Sequence, residues 1–150
     1  MKKSAFKFKS QLRVRNYEVD WQGIVHNANY LLYFELGRLE YLKHVGLHLN
    51  LNKVRNEVKI VLVKNEINYR SPARYDDLLN IYSRISHIGN TSFIFEGIIE
   101  HTISAKIISE NVAVHVWLDP VTEKAIKIPD NFRKIIRKYE RTHVRIVTLK

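Results

Sequence analysis

The segment between residues 30 and 45 limits the possible folds more than any other part of the chain. Aromatic and aliphatic residues recur in it every three or four positions, which is the spacing of one face of an α-helix. Further leucines widen this apolar surface, which comprises Tyr30, Leu31, Leu32, Phe34, Leu39, Tyr41, Leu42 and Val45. A helix that is apolar around most of its circumference must be covered by more than one layer, and a curved sheet would provide that cover.

Segments on both sides of this helix have the pattern of β-strands. Residues 6–19 alternate well enough to predict a first strand, with Phe8, Leu12 and Val14 on one face. Four later segments are rich in Ile, Val, Phe and Tyr and predict strands that can pair as antiparallel neighbours. These segments are Val58 to Tyr69, Leu78 to His87, Ser92 to Thr102 and Ile107 to Leu118. A helix on one face of such a sheet is an α+β arrangement.

Turn and capping residues predict where the long helix begins and ends. Asn27 or Asn29 is the expected N-cap, because a short side-chain oxygen can accept a hydrogen bond from a free N–H group. Gly46 is expected to end the helix just after Val45. Residues 47–56 are expected to form a short second helix or an irregular connection.

Similar signals organise the second half of the chain. The pair Gly89-Asn90 predicts a tight hairpin between two strands. Pro129 suits the first turn of a helix that runs from about Asp130 to Arg141. The tail from residue 143 to residue 149 can add an edge strand.

The composition predicts one globular domain over residues 1–150. With 45% hydrophobic residues the chain can bury a core, and no apolar run is long enough to cross a bilayer. The sequence contains no cysteine, which excludes disulfides, a thiolate nucleophile and cysteine-based metal sites. The basic N-terminus lacks the continuous apolar core of a signal peptide, so we expect a cytoplasmic protein.

The formal net charge of +10 leaves two interpretations open. A basic surface attracts polyanions such as nucleic acid, anionic lipid, acidic carrier proteins and phosphorylated cofactors, but it can equally serve solubility alone. The densest basic stretches are residues 2–9 and residues 133–145. Neither has the alternating aromatics or the helical spacing of a known nucleic-acid-binding module.

The stretch from Tyr17 to Tyr30 carries the best candidate for chemistry. Asp20 ends an alternating run, Gly23 marks a turn, and an asparagine-rich opening leads into the helix. A carboxylate beside a helix N-terminus lies near outward-pointing N–H groups and partial positive charge. It could direct water to an acyl group while those N–H groups stabilise the oxyanion. From these residues alone, the alternative is an aspartate that only forms a turn or a cap.

The same stretch carries a family resemblance. The pattern D-x-x-G-I-V-x-N-x-N-Y from Asp20 to Tyr30, followed by Phe34-Glu35 and Arg38, resembles the 4-hydroxybenzoyl-CoA thioesterase family of hotdog-fold acyl-CoA thioesterases. The resemblance continues in the family's order over most of the chain. The later matching segments are Glu66 to Asp77, Thr91 to Phe95, Ala113 to Asp119 and Ile128-Pro129.

This resemblance implies a fold, an activity and a set of site residues. The fold is the hotdog, in which an antiparallel sheet wraps around a long central helix. The activity is hydrolysis of an acyl-CoA or acyl-carrier-protein thioester to free acid and thiol, with Asp20 as nucleophile or general base. Gly23, Val25, Asn27 and Tyr30 are the expected substrate-binding residues.

The resemblance also implies which partners the chain has. We expect no metal and no cofactor other than the CoA of the substrate, and neither a nucleic-acid partner nor a membrane span. The expected assembly is a homodimer or homotetramer, because pairing of two protomers covers an exposed sheet edge. Without a phosphate-binding glycine loop in the sequence, Arg70, Arg74 and Arg84 are candidates for contacts with the CoA phosphates.

Two positions near the motif leave alternatives open. Relatives often carry His or Tyr where this chain has Asn27, and the histidine here is one residue earlier, at His26. Glu35 and Arg38 are three residues apart on the helix, which favours a structural ion pair or an orienting role for the Asp20 loop over direct chemistry.

Two other functions compete with thioester hydrolysis. The first is a non-catalytic basic module that binds nucleic acid or an anionic surface. The second is a hotdog dehydratase, which would need a histidine paired with an acid in its motif, and Asp20 with Asn27 does not supply that pair.

Overall fold

Six strands and two α-helices make up the part of the chain that the computed structural model describes, residues 1–47 and 59–147. The predicted order of strand, long helix, four strands and second helix is confirmed. The elements are β1 (Phe8–Arg13), α1 (Asn29–His44), β2 (Lys59–Tyr69), β3 (Leu78–Ile88), β4 (Ser92–His101), β5 (Ile107–Leu118), α2 (Asp130–Glu140) and β6 (Arg145–Ile146). The fold class is therefore α+β, as predicted.

The strands form one sheet in the order β1-β3-β4-β5-β2, and β6 pairs with β3 beside this path. Strand β1 is antiparallel to β3, whereas the short β6 runs parallel to it. The predicted pairing of consecutive strands is right for β3, β4 and β5 but wrong for β2, which lies beside β5 at an edge. The reason is the segment after β2, where the amides of Arg70 and Ser71 donate to the carbonyl of Ile108 on β5, so that β2 and β3 do not form a hairpin.

Strand β1 is shorter than predicted, because a tight turn replaces its second half. The strand ends at Arg13, and the N–H of Val14 donates to the carbonyl of Asp77 at 2.9 Å. Residues 16–18 form a single 3-10 turn instead of continuing the strand. The side chain of Glu18 closes this turn by accepting a hydrogen bond from the N–H of Arg15 at 2.8 Å.

Helix α1 ends as the sequence predicts. Gly46 has a φ of +89°, a left-handed conformation that glycine adopts without a Cβ penalty. The N–H of Leu47 then donates back to the carbonyl of Leu42 at 2.8 Å, which satisfies one of the last helical carbonyls. Of the segment predicted as a short helix or connection, residues 48–56 lie outside the described residues.

The start of α1 differs from the prediction. Asn29 is itself the first helical residue, and its Nδ2 donates to the carbonyl of Glu18 at 2.7 Å. The ring Nδ1 of His26 instead accepts a hydrogen bond from the N–H of Ala28 at 3.1 Å. The residue directly before the helix is Ala28, and not Asn27 or Asn29.

The chain divides into two compact units, and the first contains the start of α1 and the Asp20 stretch. This unit comprises Met1–Tyr41, Glu66–Arg84 and Gly97–Asn111. Its buried cluster is formed by Val14, Val25, Tyr30, Tyr33, Phe34, Ala73, Leu79, Ile81, Ile99 and Ile108. Helix α1 packs tightly against β3 at Gly37, where a Cβ would be 2.6 Å from Cγ2 of Ile81.

The second unit comprises Leu42–Asn65, Ile85–Glu96 and Val112–Lys150. Its interior contains an aromatic cluster in which the ring of Phe132 lies 5.1 Å from Phe93 and 5.2 Å from Trp117. His115 stacks on Phe93 at 5.3 Å between ring centroids. That residues 1–150 form a single domain stays a prediction.

We predict that Gly37→Ala destabilises the protein. Alanine is the better helix former by about 1 kcal/mol, but the added methyl group would meet Ile81 and also Oγ of Ser83 at 2.7 Å. Overpacking of this kind costs about 1–3 kcal/mol, so we expect a net loss of free energy of unfolding in urea denaturation. Lys134→Ala, at an exposed position of helix α2, is the control and should change stability by less than about 0.5 kcal/mol. A more stable Gly37→Ala protein would contradict the close packing at this position.

Candidate active site at the Asp20 loop

Asp20 lies in a short loop that closes on itself. Its N–H donates to the carbonyl of Ile24 at 2.8 Å, and its carbonyl accepts from the N–H of Gly23 at 2.9 Å. Val19 and Val25 form an antiparallel bridge at the base of the loop. Gly23 has a φ of +75°, with no atom within 4 Å of a built Cβ, so glycine is needed here for its backbone conformation and not for lack of space. The predicted glycine turn is confirmed.

Further backbone contacts fix this loop on two sides. The N–H of Val25 donates to the carbonyl of Ala73 at 2.8 Å, and Ile24 forms a bridge with Arg74. On the other side, the N–H of His26 donates to the carbonyl of Glu18 at 2.9 Å. The position of the loop is therefore set by the segment after β2 and by the turn that precedes it.

One of the two oxygens of the Asp20 carboxylate is hydrogen-bonded within the described part of the protein. Its Oδ1 accepts a hydrogen bond from the N–H of Gln22 at 2.8 Å, which orients the group. Within residues 1–47 and 59–147, Oδ2 has no hydrogen-bond donor and the carboxylate has no cationic partner within 4 Å. The hydrogen bond from Gln22 holds one oxygen of the carboxylate. Because the side chain is only half-buried, the other oxygen is available to water or to a substrate.

A surface pocket of about 400 Å³ opens at this carboxylate. Its walls are Asp20, Ile24, Val25, Asn27, Tyr30, Tyr69, Arg70, Ser71 and Pro72. The structure thus brings together four of the five site residues predicted from the sequence. The fifth, Gly23, does not line the pocket but shapes the loop that carries Asp20.

The opposite wall of the pocket, residues 69–72, has no role in the sequence prediction apart from Arg70. The ring of Tyr69 lies 5.4 Å from the ring of Tyr30 in an edge-on arrangement, and its OH donates to the carbonyl of Asn27 at 3.1 Å. Arg70 is held by Glu110, with 3.0 Å between Nε and Oε2. The sequence marks this segment as a strand end, but nothing in its pattern indicates that it faces Asp20.

Asn27, two residues before α1, supplies hydrogen-bond donors at the pocket. The first N–H groups of a helix have no intrahelical acceptor and carry partial positive charge. The N–H of Ala28 donates to Nδ1 of His26, and the N–H of Asn29 donates to the carbonyl of His26. For the N–H and the side chain of Asn27, the structure has no hydrogen-bond partner among the residues it describes. Asn27 is therefore the donor residue best placed to polarise a substrate carbonyl.

The histidine of the motif does not line this pocket. His26 is exposed, and its Nδ1 is occupied as an acceptor by the N–H of Ala28. An imidazole placed in this way orients the start of the helix and has no contact with the pocket next to Asp20. The geometry therefore supports a site built on a carboxylate and on amide groups.

The predicted ion pair between Glu35 and Arg38 is wrong. Arg38 is buried, and its Nη1 donates to Oδ1 of Asn111 at 3.3 Å. Burial lowers the pKa of Arg38, and the charge of Glu35 only partly opposes this shift. Glu35 itself is exposed, and among the described residues the two side chains are not within ion-pair distance. Arg38 turns towards the interior and Glu35 towards solvent, and neither lines the pocket.

Of the three arginines considered for phosphate contacts, one lies at the pocket. Arg70 lines it, whereas the guanidinium of Arg84 lies 5.3 Å from the ring of Phe6. Arg74 is exposed beside the Asp20 loop, to which it is joined through its bridge with Ile24. Arg70 is therefore the candidate with the best geometry.

Two general features of the described residues bear on other functions. No group of three or more His, Cys, Asp or Glu side chains in residues 1–47 and 59–147 is arranged to hold a metal ion. Over the same residues, every helix is too short or too polar to cross a membrane.

Comparison with known proteins gives relatives of consistent type. Acyl-CoA thioester hydrolase YbgC of Escherichia coli is 30% identical over 125 residues, which are 81% of this chain and 90% of that protein. Acyl-acyl carrier protein thioesterase ATL3 of Arabidopsis thaliana, a chloroplast protein, is 29% identical over 123 residues. That match covers 82% of this chain and 64% of the plant protein.

A solved structure shows the same fold. The 1,4-dihydroxy-2-naphthoyl-CoA thioesterase from Synechocystis superposes with a TM-score of 0.80 at 20% identity, over 86% of this chain and 94% of that one. The hotdog fold predicted from the motif is confirmed. Residues 14–136 match the sequence profile of the thioesterase-like superfamily. This range includes the Asp20 loop, helix α1 and most of α2. The chain therefore belongs to the thioesterase-like superfamily and is a hotdog-fold thioesterase.

Proposed function

We propose that this chain hydrolyses acyl-CoA thioesters to the free acid and CoA, with Asp20 as the catalytic carboxylate. The observation that carries the proposal is the Asp20 carboxylate itself, which has one oriented oxygen and one oxygen without a donor among the described residues. It faces a pocket at the start of α1, in a member of a thioesterase superfamily. A carboxylate beside amide donors is what acyl transfer to water requires.

Two routes are compatible with this arrangement. As a general base, Asp20 takes a proton from water, the resulting hydroxide adds to the thioester carbonyl, and the C–S bond breaks as the thiolate leaves and is protonated. As a nucleophile, Asp20 displaces the thiolate itself, forming a mixed anhydride that water then hydrolyses. In both routes the N–H of Asn27 stabilises the negative charge that develops on the carbonyl oxygen.

The identity of the thiol is argued from charge and from the relatives. YbgC is named for acyl-CoA and ATL3 for acyl-acyl carrier protein, so both carriers remain alternatives. We favour CoA, because Arg70 lies at the pocket, where its guanidinium can contact the phosphates of the CoA nucleotide. The finer assignment to 4-hydroxybenzoyl-CoA thioesterases rests on the motif from Asp20 to Tyr30.

The rival function, a non-catalytic basic module for nucleic acid or an anionic surface, is weaker. It explains the net charge but gives no reason for the available carboxylate oxygen or for the pocket at the start of α1. Strong nucleic-acid binding at physiological salt, in a protein without thioesterase activity, would favour the rival.

We predict that Asp20→Asn lowers kcat by at least about 100-fold, because positioned proton transfer alone contributes that much or more. The amide keeps the shape of the side chain but can neither attack the carbonyl nor accept a proton. KM should change little, since the substrate is held mainly through its CoA and acyl ends. The measurement is release of free thiol over a series of acyl-CoA substrates, including aromatic acyl groups.

Glu35→Gln is the matched control, because it removes a carboxylate from an exposed position of α1 outside the pocket. We expect it to affect kcat less than Asp20→Asn does. If Asp20→Asn kept more than about a tenth of the wild-type kcat on the best substrate, the catalytic assignment would be wrong. An aspartate that only forms a turn would instead show a loss of stability with normal turnover.

We predict that Arg70→Gln raises KM for acyl-CoA by about fivefold at low salt, because an exposed charge pair contributes up to about 1 kcal/mol. kcat should stay close to wild type, since the phosphates are far from the reacting carbonyl. KM for the matching acyl-pantetheine, which lacks the nucleotide, should not change. Arg84→Gln is the control outside the pocket. An equal effect of Arg70→Gln on both substrates would contradict a contact with the nucleotide.

We further propose that the chain forms a homodimer or homotetramer. Four leucines of α1 are substantially exposed, with Leu32 at 59% and Leu31 at 43%, and a partner protomer would cover them. Strand β2 lies at an edge of the sheet and has exposed apolar side chains at Leu62 and Val63.

The assembly is tested by sedimentation at micromolar concentration, where we predict a dimer or tetramer. Leu32→Lys should shift the distribution towards smaller species, because it places a charge on the apolar face of α1. An active wild-type monomer under these conditions would overturn the prediction.

A further inference from the structure

Glu18, two residues before Asp20, is a buried carboxylate with every interaction satisfied. The residue is only 3% exposed. Oε2 accepts hydrogen bonds from the N–H of Arg15 and from the OH of Tyr33, each at 2.8 Å. Oε1 accepts from Nε of Arg15 at 2.9 Å and from the Nη2 of the same guanidinium. The carboxylate thus joins the turn before the Asp20 loop to Tyr33, one turn inside helix α1.

The backbone of Glu18 makes a second set of contacts with the same parts of the protein. Its carbonyl accepts from the N–H of His26, where the chain returns from the Asp20 loop, and from Nδ2 of Asn29 at the first residue of α1. Residue 18 therefore binds both arms of the loop and two positions of the helix. Further links hold this stretch in place through Ala73, Arg74 and the OH of Tyr69, which donates to the carbonyl of Asn27.

The electrostatics of this cluster keep each group in the protonation state that these hydrogen bonds need. Burial would raise the pKa of Glu18, but the hydrogen bonds from Arg15 and Tyr33 outweigh it and hold the pKa below its ordinary value. Burial, and then the hydrogen bond to Glu18, raise the pKa of Tyr33. At neutral pH Glu18 is therefore an ionised acceptor and Tyr33 a protonated donor. Because the folded-state pKa of Glu18 is depressed, this contribution to stability is present at neutral pH and is lost as the pH falls through that value.

We propose that Glu18 is a positioning residue, which holds the Asp20 carboxylate in register with the start of helix α1 through its hydrogen bonds to Arg15, Tyr33, His26 and Asn29. The inference rests on the proposed catalytic role of Asp20. Misplacing a reacting group by about 1 Å can cost about 100-fold in rate, so a residue that fixes this loop affects turnover without touching the substrate. Glu18 does not line the pocket, which separates its role from substrate binding.

The same compact unit contains a matched control. Glu100 is also 3% exposed, and its carboxylate accepts hydrogen bonds from Lys3, Asn80 and Tyr82. Its pKa is likewise held below the ordinary value, by hydrogen bonds that outweigh burial. None of these partners belongs to the Asp20 loop. Glu100→Gln therefore perturbs a buried carboxylate of the same kind without loosening that loop.

The first arm of the experiment compares turnover on acyl-CoA in Glu18→Gln, Tyr33→Phe and Glu100→Gln. The amide of Glu18→Gln offers one acceptor oxygen in place of two and turns an N–H₂ group towards the donors of Arg15. We expect kcat to fall at least about tenfold with KM nearly unchanged, as for a partial loss of alignment. The kcat of Tyr33→Phe should lie between those of Glu18→Gln and the wild type. The kcat of Glu100→Gln should stay within about twofold of wild type, even where this variant is less stable.

The second arm of the experiment measures the stability of the loop and does not depend on enzymatic activity. Amide hydrogen exchange is measured at Asp20 and Gly23, whose N–H groups close the loop, with the N–H of Trp117 as an internal reference bonded to the carbonyl of Thr91. We expect exchange at Asp20 and Gly23 to accelerate in Glu18→Gln and Tyr33→Phe but not in Glu100→Gln, while Trp117 is unchanged.

Each result has a defined meaning. Wild-type kcat and wild-type exchange at Asp20 and Gly23 in Glu18→Gln would overturn the positioning role, and so would an equal loss of kcat in Glu100→Gln. Normal turnover in Asp20→Asn would overturn the proposed function instead. In that case the exchange arm would still decide whether Glu18 holds this loop.

Discussion

Helix α1 approaches strand β3 closely because residue 37 has no side chain. A Cβ at this position would lie 2.6 Å from Ile81 and 2.7 Å from Ser83, so any larger residue would force the two elements apart. The approach buries the aromatic face of the helix, on which Tyr33 and Tyr30 are 1% and 3% exposed. Both tyrosines then use their hydroxyl groups to hold the loops of the site.

The two hydroxyl groups act on different parts of the site. The OH of Tyr30 accepts a hydrogen bond from the N–H of Ala73, the residue whose carbonyl binds the loop through Val25. The OH of Tyr33 donates to Glu18 on the other side of that loop. One face of one helix therefore fixes both supports of Asp20, and the close contact at Gly37 sets the position of that face.

The basic charge of the chain is partly structural. Residues 124–145 contain eight Lys and Arg residues but only two Asp and Glu residues. Within this stretch Arg133 donates to the carbonyls of Ile128, Gly89 and Asn90, so its guanidinium joins α2 to the hairpin after β3. A basic residue with this role says nothing about a polyanionic partner, which weakens the argument from net charge to nucleic-acid binding.

The sequence predicted the features that depend on local periodicity. The bounds of β5 and of α2, the end of α1 at Gly46 and the turn at Gly23 all follow from spacing and from glycine conformation. The place of β2 beside β5 was not predictable in this way, because it depends on contacts of Arg70 and Ser71 with Ile108, more than thirty residues away. Strand pairing is decided by such long-range contacts and not by the strand's own residues.

The sequence predicted the residues that line the candidate site but not the residues that hold them in place. The motif named Asp20, Asn27 and Tyr30, which do line one pocket. Glu18 was missed because it lies in a run read as a continuous strand, and its burial depends on Tyr33, fifteen residues later. The ion pair expected between Glu35 and Arg38 failed for a related reason, since helical spacing gives proximity along the helix but not which side chain turns inward.

Glu18 and Asp20 are carboxylates only two residues apart in the chain, but their environments are opposite. Glu18 has four hydrogen bonds to its oxygens and a guanidinium beside it, so its charge is compensated where it lies. Among the described residues, the carboxylate of Asp20 accepts a single hydrogen bond, from the N–H of Gln22. A fully paired carboxylate is chemically inert and suited to support, whereas one with an available oxygen can accept a proton or attack a carbonyl. Because Arg15 neutralises Glu18, the support adds little negative field where the oxyanion would form, and the start of α1 keeps its positive character for the substrate.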